Sequence, residues 1–571
     1  MRKISLILAL LLIFSLASCS GTKTAVPHPN QLDLTADFSD LSLLDFTYSN
    51  RDTDPSYDEG SAVTITLDNE NTKINGNGAA LVDGDIVINA EGTYILTGKY
   101  TLGMLKVECT DLQKVQIVLN GAEISSPDSP AVYVKQADKV FFTLAKGTEN
   151  KLVDGDKYTI IDGNSEIDAT LFSRADTAIN GEGKLTVIGT KKHGIISKDD
   201  LVITGGDINV RADKDAIVGK DCVKIGGGTI TVTAGSDGIC SDNNNDADRG
   251  FVYISAGTIN VTAEKDGIQA ENAVRIDGGD ITLSCGGGSQ NNVESLKPTD
   301  KQPEILDPNS TGEVKPESYK GIKTDVDLII NGGKIIADTA DVCLQADASI
   351  IISGGAIKLS SGESAVAAGK AYAQQNGAVY IVKGVNAINA TNALLSGGET
   401  SIICSAVGIN ASASAEVRGG YLITDTGLSA VSTANFFLVS DGTVLLNPPV
   451  DEAQPVIASP SIITAGGNLV ALGNVDVSLA ETSHQLAVQA TFDKQAADSS
   501  IYLCDTKDNF LISFNSKRAY SAALITSPYI EAGVYTIYNG AKLENSDANG
   551  FSYGGRLSGA TAVIQVEIAK P

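Results

Sequence analysis

A short phrase returns several times in the middle of this chain, and its repetition restricts the possible folds more than any other feature. A small residue followed by isoleucine recurs at intervals of 22 residues, and at longer intervals where segments are inserted. A Gly-Gly pair follows about eleven residues later in most copies, and then a stretch such as DINVRA (207–212) or TITVTA (229–234). The small residues that open the copies are Gly194, Ala216, Gly238, Gly267 and Gly321.

The repeat predicts stacked β-strands. Apolar and polar residues alternate after each glycine pair, and this period of two is typical of a half-buried strand. A unit of about 22 residues cannot bury its own apolar face, whereas stacked copies can. The sequence therefore predicts an all-β protein built around a parallel β-solenoid, a fold in which equivalent residues of successive coils lie about 4.8 Å apart. In the copy DVCLQA we assign Cys343 to the isoleucine position, as a core residue.

The repeat also sets the predicted domain boundaries. We expect the solenoid over 61–447, with insertions at 243–250 and 286–318. Fainter copies of the repeat extend the pattern on both sides of the clear ones. The other predicted segments are a signal peptide (1–18), a polar tether and N-terminal cap (19–60), and a small C-terminal antiparallel β domain (448–571).

The first 19 residues predict export. MRKISLILALLLIFSLASC has a basic start, an apolar run and small residues before Cys19, as a secretory signal does. LASC resembles the lipobox of bacterial lipoproteins, which implies cleavage before Cys19 and acylation of that cysteine. Such an anchor would hold the protein at the bacterial cell surface without a spanning helix. The alternative is an ordinary secretory signal with a chance cysteine.

Charge and residue counts exclude several function classes. A net charge of −27 argues against nucleic acid as a partner. Three histidines and no CxxC spacing argue against a histidine zinc site or a catalytic triad. Seven cysteines remain besides Cys19, and their odd number and irregular spacing argue against a disulfide framework. We expect a monomer.

Acidic residues recur at one place in the repeat. Asp215, Asp237 and Asp266 each precede the small residue, so stacking would bring them into one column. Two carboxylates about 5 Å apart repel by roughly 3–4 kcal/mol at an effective dielectric constant near 20. Four positions beyond the small residue, successive copies carry first bases and then acids: Lys135, Arg174, Lys198, Lys220, Asp242, Glu271 and Asp325.

The acids predict a calcium site. Ca²⁺ accepts six to eight oxygen ligands in irregular geometry, which suits carboxylates gathered from successive coils. The alternative is that these acids stay solvated or pair with lysines. The predicted metal ligands are Asp199, Asp213, Asp215, Asp221, Asp237, Asp242, Asp246, Asp248 and Asp266, with Asn243 as a supporting ligand.

The segment from ISKDDLVITGGDINV (196–210) through DGICSDNNNDADRGFVYISAGTINVTAEKDGIQAEN (237–272) resembles a family of bacterial carbohydrate-binding domain-containing surface proteins. The similarity is strongest over about 60–290. It implies a right-handed parallel β-helix like that of pectate lyases, bound calcium, and binding of cellulose and acidic sugars.

The sequence is compatible with three functions. The first is a calcium-dependent lipoprotein that binds acidic, uronate-containing or plant-cell-wall polysaccharide, with Lys198, Lys220 and Arg249 as further sugar contacts. The absence of Trp weakens the expectation of binding to flat crystalline glycans. The second is a polysaccharide lyase with Ca²⁺ and Lys198 or Lys220 as the base. The third is a structural surface protein in which calcium only stabilises the stack.

Overall fold

The structure is a computed structural model, and it confirms the predicted parallel β-solenoid. The predicted signal peptide, Cys19 and most of the insertion at 286–318 lie outside the described residues. The described residues are 28–156, 158, 161, 167–291, 317–540, 546–555, 557 and 559–569.

Each coil of the solenoid contributes one strand to each of three parallel ladders. The first-ladder strands are Asp85–Ile88, Leu105–Glu108, Val132–Gln136, Ala169–Ser173, His193–Ser197, Ile217–Gly219, Ile239–Ser241, Ile268–Ala270, Ile322–Thr324, Leu344–Ala346, Val366–Ala368, Val431–Thr433 and Ile457–Ala458. The second-ladder strands are Lys139–Leu144, Asp176–Gly181, Asp200–Ile203, Cys222–Ile225, Phe251–Ile254, Val274–Ile276, Leu328–Ile330, Ile350–Ile352, Ala371–Gln374 and Ile462–Thr464.

The third ladder follows the glycine turn in each coil. Its strands are Glu149–Val153, Lys184–Gly189, Asp207–Ala212, Thr229–Ala234, Thr258–Ala263, Asp280–Cys285, Lys334–Thr339, Ala356–Ser361, Ala378–Lys383, Glu399–Cys404 and Asn468–Leu472. Longer strands pass from one ladder to the next, namely Gly92–Tyr100, Lys114–Ser125, Ile388–Leu395, Ile409–Thr426 and Phe436–Leu446.

The isoleucine after each small residue forms the centre of the core. Ile217 pairs in register with Ile239, which pairs with Ile268, and that residue pairs with Ile322. All four are fully buried. The next residue in this column is Leu344, so the assignment of Cys343 to the isoleucine position was wrong by one residue, although Cys343 is buried. The seven described cysteines are all buried and free.

The second glycine of each pair is required by the stacking of the turns. Gly228 has a φ of +86°, a backbone region that L side chains rarely adopt. A Cβ there would also lie 2.8 Å from the carbonyl oxygen of Gly206, the equivalent glycine of the preceding coil. This close approach explains why the repeat retains glycine at this turn.

Antiparallel strands close both ends of the solenoid. At the amino-terminal end the additional strands are Val63–Leu67, Lys73–Asn75 and Ala79–Val82. At the other end Ala487–Gln495 and Tyr520–Thr526 continue the main sheet. The solenoid strands run to Leu472, beyond the boundary expected at 447. A separate five-stranded sheet packs against this end and consists of Ser499–Cys504, Phe510–Ser516, Gly533–Asn539, Ser552–Tyr553 and Thr561–Ile568.

Residues 28–57, which we call the N-terminal strap, lie along the second ladder. Their first residue contacts the carboxyl-terminal end of the molecule, where His28 Nε2 is 2.9 Å from the carbonyl oxygen of Thr482. Their last residue, Tyr57, packs beside Ile95 near the other end. The strap contains the one helix of the described residues, Asn50–Thr53. A segment expected to be a tether and cap therefore lies along the length of the solenoid.

Buried polar residues of the second ladder hold the strap. Asp327 is fully buried and accepts hydrogen bonds from the backbone N–H of Ser39 at 2.7 Å and of Ser349 at 2.8 Å. Lys139 forms an ion pair of 2.8 Å with Asp52. Because Asp327 and Asp52 are buried, these contacts satisfy carboxylates that would otherwise be buried alone.

Replacement of Asp327 by alanine is expected to loosen the strap. Two backbone N–H groups would lose their acceptor, at a cost of about 1–3 kcal/mol. Hydrogen exchange should therefore become faster over residues 28–57 than in the unsubstituted protein. The matched control is Asp207→Ala, because Asp207 is exposed on the third ladder. Equal exchange in both variants would contradict this role of Asp327.

Candidate functional site

The predicted ligands and bases fall on the two edges of the first ladder. The turn before each first-ladder strand forms one edge, which we call the acidic edge. The residue after each strand forms the other, which we call the mixed edge. Backbone hydrogen bonds between successive coils set both columns. The acidic edge carries His193, Asp215, Asp237, Asp266 and Lys320, and the mixed edge carries Lys135, Arg174, Lys198, Lys220, Asp242, Glu271 and Asp325.

The carboxylates of the acidic edge form a hydrogen-bonded series. Asp215 Oδ1 accepts from the backbone N–H of Asp237 at 3.0 Å, and Asp237 Oδ1 accepts from that of Asp266 at 2.9 Å. Asp266 Oδ1 in turn accepts from the backbone N–H of Lys320 at 2.7 Å. At the other end of the column, His193 Nδ1 lies 3.2 Å from Asp215 Oδ2. The predicted column is therefore present, with a basic residue at each end.

Asp237, in the middle of the column, has the least favourable electrostatic environment. Burial, together with the charges of Asp266 and Asp215, raises the pKa of its carboxyl to about 7. Asp215 behaves differently: burial acts to raise its pKa, but the hydrogen bonds from His193 and from the backbone of Asp237 leave it below the usual value. A cation beside Asp237 would stabilise the ionised carboxylate and lower its pKa.

The mixed edge changes from bases to acids between Lys220 and Asp242. Lys220 Nζ donates to the carbonyl oxygen of Asp242 at 2.9 Å and lies 3.3 Å from its carboxylate. Lys198 is exposed, and its ammonium group lies 5.7 Å from the centre of the Phe172 ring. Among the described residues, Lys198 forms no ion pair. Lys198 is thus the more accessible of the two predicted bases.

The remaining predicted ligands lie in the turn beside the mixed edge, with one exception. Arg249 contacts the carboxylate of Asp221 and lies 3.5 Å from that of Asp199. Asn243 Nδ2 donates to Asp221 Oδ1 at 2.7 Å and to Asp246 Oδ2 at 3.1 Å. The charge of Arg249 is therefore matched within the protein. The carboxylate of Asp248 lies 4.0 Å from the guanidinium group of Arg249. The one predicted ligand outside this turn is Asp213, which is exposed in the turn that also contains Asp215.

The structure divides the nine predicted metal ligands into two sets. Asp213, Asp215, Asp237 and Asp266 belong to the acidic edge, and the other five lie on or beside the mixed edge. A first-ladder strand of three residues separates the edges, which corresponds to about 10 Å. One ion cannot contact both sets.

One close group of acids was only partly predicted from the sequence. Oxygen atoms of Asp176, Asp199 and Asp200 lie within 4.8 Å of one another, and only Asp199 was among the predicted ligands. Burial and the two neighbouring carboxylates raise the pKa of Asp176 to about 6. The "RAD" and "KDD" segments at 174–176 and 198–200 align in the ladder register, so the repeat spacing contained a signal for this group.

The acidic edge has the donor set that calcium prefers. Its carboxylates are hard oxygen ligands, and one oxygen of each is already oriented by a backbone N–H. The pKa of Asp237 is raised first by burial and then by the charges of Asp266 and Asp215, and a nearby cation would oppose both effects. Because successive coils lie about 4.8 Å apart, one calcium ion would bind Asp237 together with one neighbour, Asp215 or Asp266, and not all three at once. In the described part of the chain, the three acids whose oxygens lie within 4.8 Å of one another are Asp176, Asp199 and Asp200.

Without metal, the stability of the protein should fall as the pH rises from 5 to 8. A carboxyl whose pKa is raised to about 7 contributes stability that is present below pH 4 and is lost as the pH passes 7. Ionisation of Asp237 should cost about 2–4 kcal/mol. Asp237→Asn keeps the acceptor for Asp266 and removes this titration. The measurement is the urea midpoint in EDTA at pH 5, 6.5 and 8, which should vary less with pH in Asp237→Asn than in the unsubstituted protein. An equal dependence on pH in both proteins would show that Asp237 is not the group responsible.

The fold and this charged face define a parallel β-solenoid protein with an acidic surface column. Residues 82–365, about half of the chain, match the carbohydrate-binding domain-containing protein family. The chain belongs to this family through these coils, which include the acidic edge.

Two relatives illustrate the similarity. A protein of Acetivibrio thermocellus described as a carbohydrate-binding domain-containing protein is 35% identical over 150 residues, which are 26% of this chain and 52% of that protein. The chain thus spans about half the length of the curated relative it matches. A solved structure, the polysaccharide lyase-like protein from C. thermocellum as a gadolinium derivative, is 34% identical, with a TM-score of 0.39 over 40% of this chain and 92% of that chain.

Proposed function

We propose that this protein binds an acidic, uronate-containing polysaccharide through calcium held on the acidic edge. Its family supports a carbohydrate partner. The observation that carries the finer proposal is the column of Asp215, Asp237 and Asp266, in which the middle carboxyl has a pKa near 7 because burial and its neighbours disfavour the charged form.

Calcium would reverse the interaction of this surface with acidic sugars. Alone, the column repels a uronate carboxylate, and so does the net charge of −27. A Ca²⁺ bound between two neighbouring carboxylates of the column has coordination positions left over, and a sugar carboxylate can fill one of them. The ion would thus join two groups of the same charge.

Lysines on the mixed edge would supply additional contacts. Lys198 is exposed and can donate charge-assisted hydrogen bonds to a uronate. Lys220 has Asp242 as a partner and offers less. Arg249, which was also a candidate sugar contact, is matched by Asp221 and Asp199, so we assign it a role in holding the 243–250 loop.

We further propose that the protein is exported and held at the cell surface through a lipid on Cys19. The basic and apolar start of the chain and the LASC sequence support this proposal. No helix in the described part of the chain is of a length and hydropathy suited to crossing a bilayer.

The test of the proposed function uses polygalacturonate in the presence of calcium. Retention of the protein on immobilised polygalacturonate, lost in EDTA, is expected for a binder. Fully methyl-esterified pectin is the matched ligand, because it presents the same backbone without the negative charge. Retention that is equal on both ligands, or that survives EDTA, would rule out the calcium bridge.

The same incubation distinguishes the two other functions. A rise in ultraviolet absorbance would report the unsaturated product of a lyase, and Lys198→Ala and Lys220→Ala would then identify the base. If the protein is not retained and no product forms, a structural role is favoured.

A further inference from the structure

The charged residues of the first-ladder face end part way along the solenoid. In the column of Asp215, Asp237 and Asp266 the last charged residue is Lys320, and on the mixed edge it is Asp347; beyond Lys320 the turns of the acidic edge keep Asp341, which pairs with Lys320 at 2.6 Å, and Glu363. In the following coils the equivalent positions are uncharged, although the chain as a whole carries a net charge of −27. These later positions are Val342, Ser364, Asn386 and Val407 on the acidic edge, and Gly369, Thr391 and Ser412 on the mixed edge.

A hollow lined by amides lies between these uncharged edges. Its volume is about 630 Å³. Register places Gln345, Ala367, Asn389 and Asn410 one above another, each at the outward position of its first-ladder strand. Because Ala367 is much smaller than its neighbours in this column, it leaves space between Gln345 and Asn389. We call this hollow the amide groove and define it by Gln345, Ala367, Asn389, Thr391, Asn410 and Ser412.

Hydrogen bonds within the groove orient its amides. Asn410 Nδ2 donates to Asn389 Oδ1 at 3.1 Å, and Asn389 Nδ2 donates to Ser364 Oγ at 2.7 Å. Each side-chain amide has two N–H donors and an oxygen with two lone pairs. Each of these asparagines therefore retains a donor and acceptor capacity beyond these bonds. Since the side chains are already held, less conformational entropy is lost when a ligand binds.

The composition of the groove selects an uncharged, hydroxyl-rich ligand. Its lining residues include no cation and one anion, Asp347 at its border. A sugar hydroxyl both donates and accepts, which matches an amide, whereas a uronate carboxylate would meet its nearest cations, Lys323 and Lys370, beside the lining and not within it. A glycan laid along the stack would meet a new set of side chains at each coil, about every 4.8 Å.

We propose that the amide groove is a second glycan-binding site, specific for neutral polysaccharide and independent of metal. It lies for the most part beyond residue 365, where the family match ends. The proposal does not depend on calcium at the acidic edge, and either site could exist without the other. A polymer with both acidic and neutral segments could occupy the two sites at once, with a gain in avidity.

The test is calorimetric titration of the full chain with cellohexaose and with mannohexaose, both in EDTA. We expect at least one of these neutral oligosaccharides to bind. The double variant Asn389→Ala/Asn410→Ala should weaken that binding about tenfold or more, because each lost hydrogen bond contributes roughly 1 kcal/mol. Asn209→Ala is the matched control, since Asn209 is exposed on the third ladder; it should bind as the unsubstituted protein does.

A second variant distinguishes loss of the binding surface from loss of folding. Ala367→Leu places a larger side chain in the hollow and removes no hydrogen bond, so it should block binding while thermal unfolding stays unchanged. Absence of binding to both oligosaccharides, or equal affinities in the amide variant and the control, would overturn the proposal. A parallel titration with calcium separates the two sites: binding that appears only with calcium, or that is lost in Asp237→Asn, would assign the neutral glycan to the acidic edge instead. Failure of the calcium site alone would leave binding in EDTA intact.

Discussion

Asp237→Ala is expected to remove bound calcium from the protein. Asp237 is the middle carboxylate of the acidic edge, with Asp215 and Asp266 as its neighbours in register. Loss of a group that merely orients a metal ligand typically weakens affinity 10–100-fold, so loss of a ligand should reach at least about 100-fold. The measurement is the metal content after exhaustive dialysis, together with a calcium titration of the metal-free protein at pH 8.

The control for this experiment is Asp280→Ala. Asp280 is an exposed carboxylate on the third ladder, so the substitution changes net charge by the same amount at a place outside the proposed site. It should leave calcium content unchanged. Equal calcium in both variants would favour the alternative from the sequence, in which these acids stay solvated or pair with lysines. Retention on polygalacturonate should fall in parallel with the metal.

Ile239→Ala is expected to destabilise the solenoid by about 2–5 kcal/mol, because it opens a cavity in a fully packed core. Ile239 is fully buried and lies between Ile217 and Ile268 of the neighbouring coils. Collapse of one coil around the cavity is resisted by the hydrogen bonds that hold its register. Urea denaturation monitored by circular dichroism measures the effect as a shift in midpoint.

The same substitution at an exposed position gives the comparison. Ile403 is 49% exposed on the third ladder, and Ile403→Ala should change the midpoint little. Similar losses in both variants would mean that the β-propensity of isoleucine, rather than its burial, accounts for the effect.

Much of the fold could be predicted because the repeat is regular. A constant spacing between the small residue, the isoleucine and the glycine pair fixes which residues share a column, since side chains alternate between faces with a period of two. The columns of Asp215 and Lys220 follow from that spacing alone. The spacing failed at Cys343, where the copy DVCLQA was shifted by one residue relative to the ladder register.

The strap could not be predicted in this way, and the close acids only in part. Residues 28–57 carry no repeat, and their contacts with Asp327 or Lys139 join positions hundreds of residues apart in some cases. The group of Asp176, Asp199 and Asp200 was predictable in part, because the ladder register aligns Asp176 with Asp200, although the coil of Asp176 is one of the fainter copies of the repeat.

The sequence by itself determined the period of the solenoid, its core column and the stacking of Asp215, Asp237 and Asp266, because a local pattern repeated at constant spacing leaves one register that buries the apolar face. Only the tertiary structure decided that Arg249 is matched by internal acids and that the N-terminal strap lies along the second ladder. These features depend on the directions of turns and on contacts between distant segments, which a spacing along the chain does not specify.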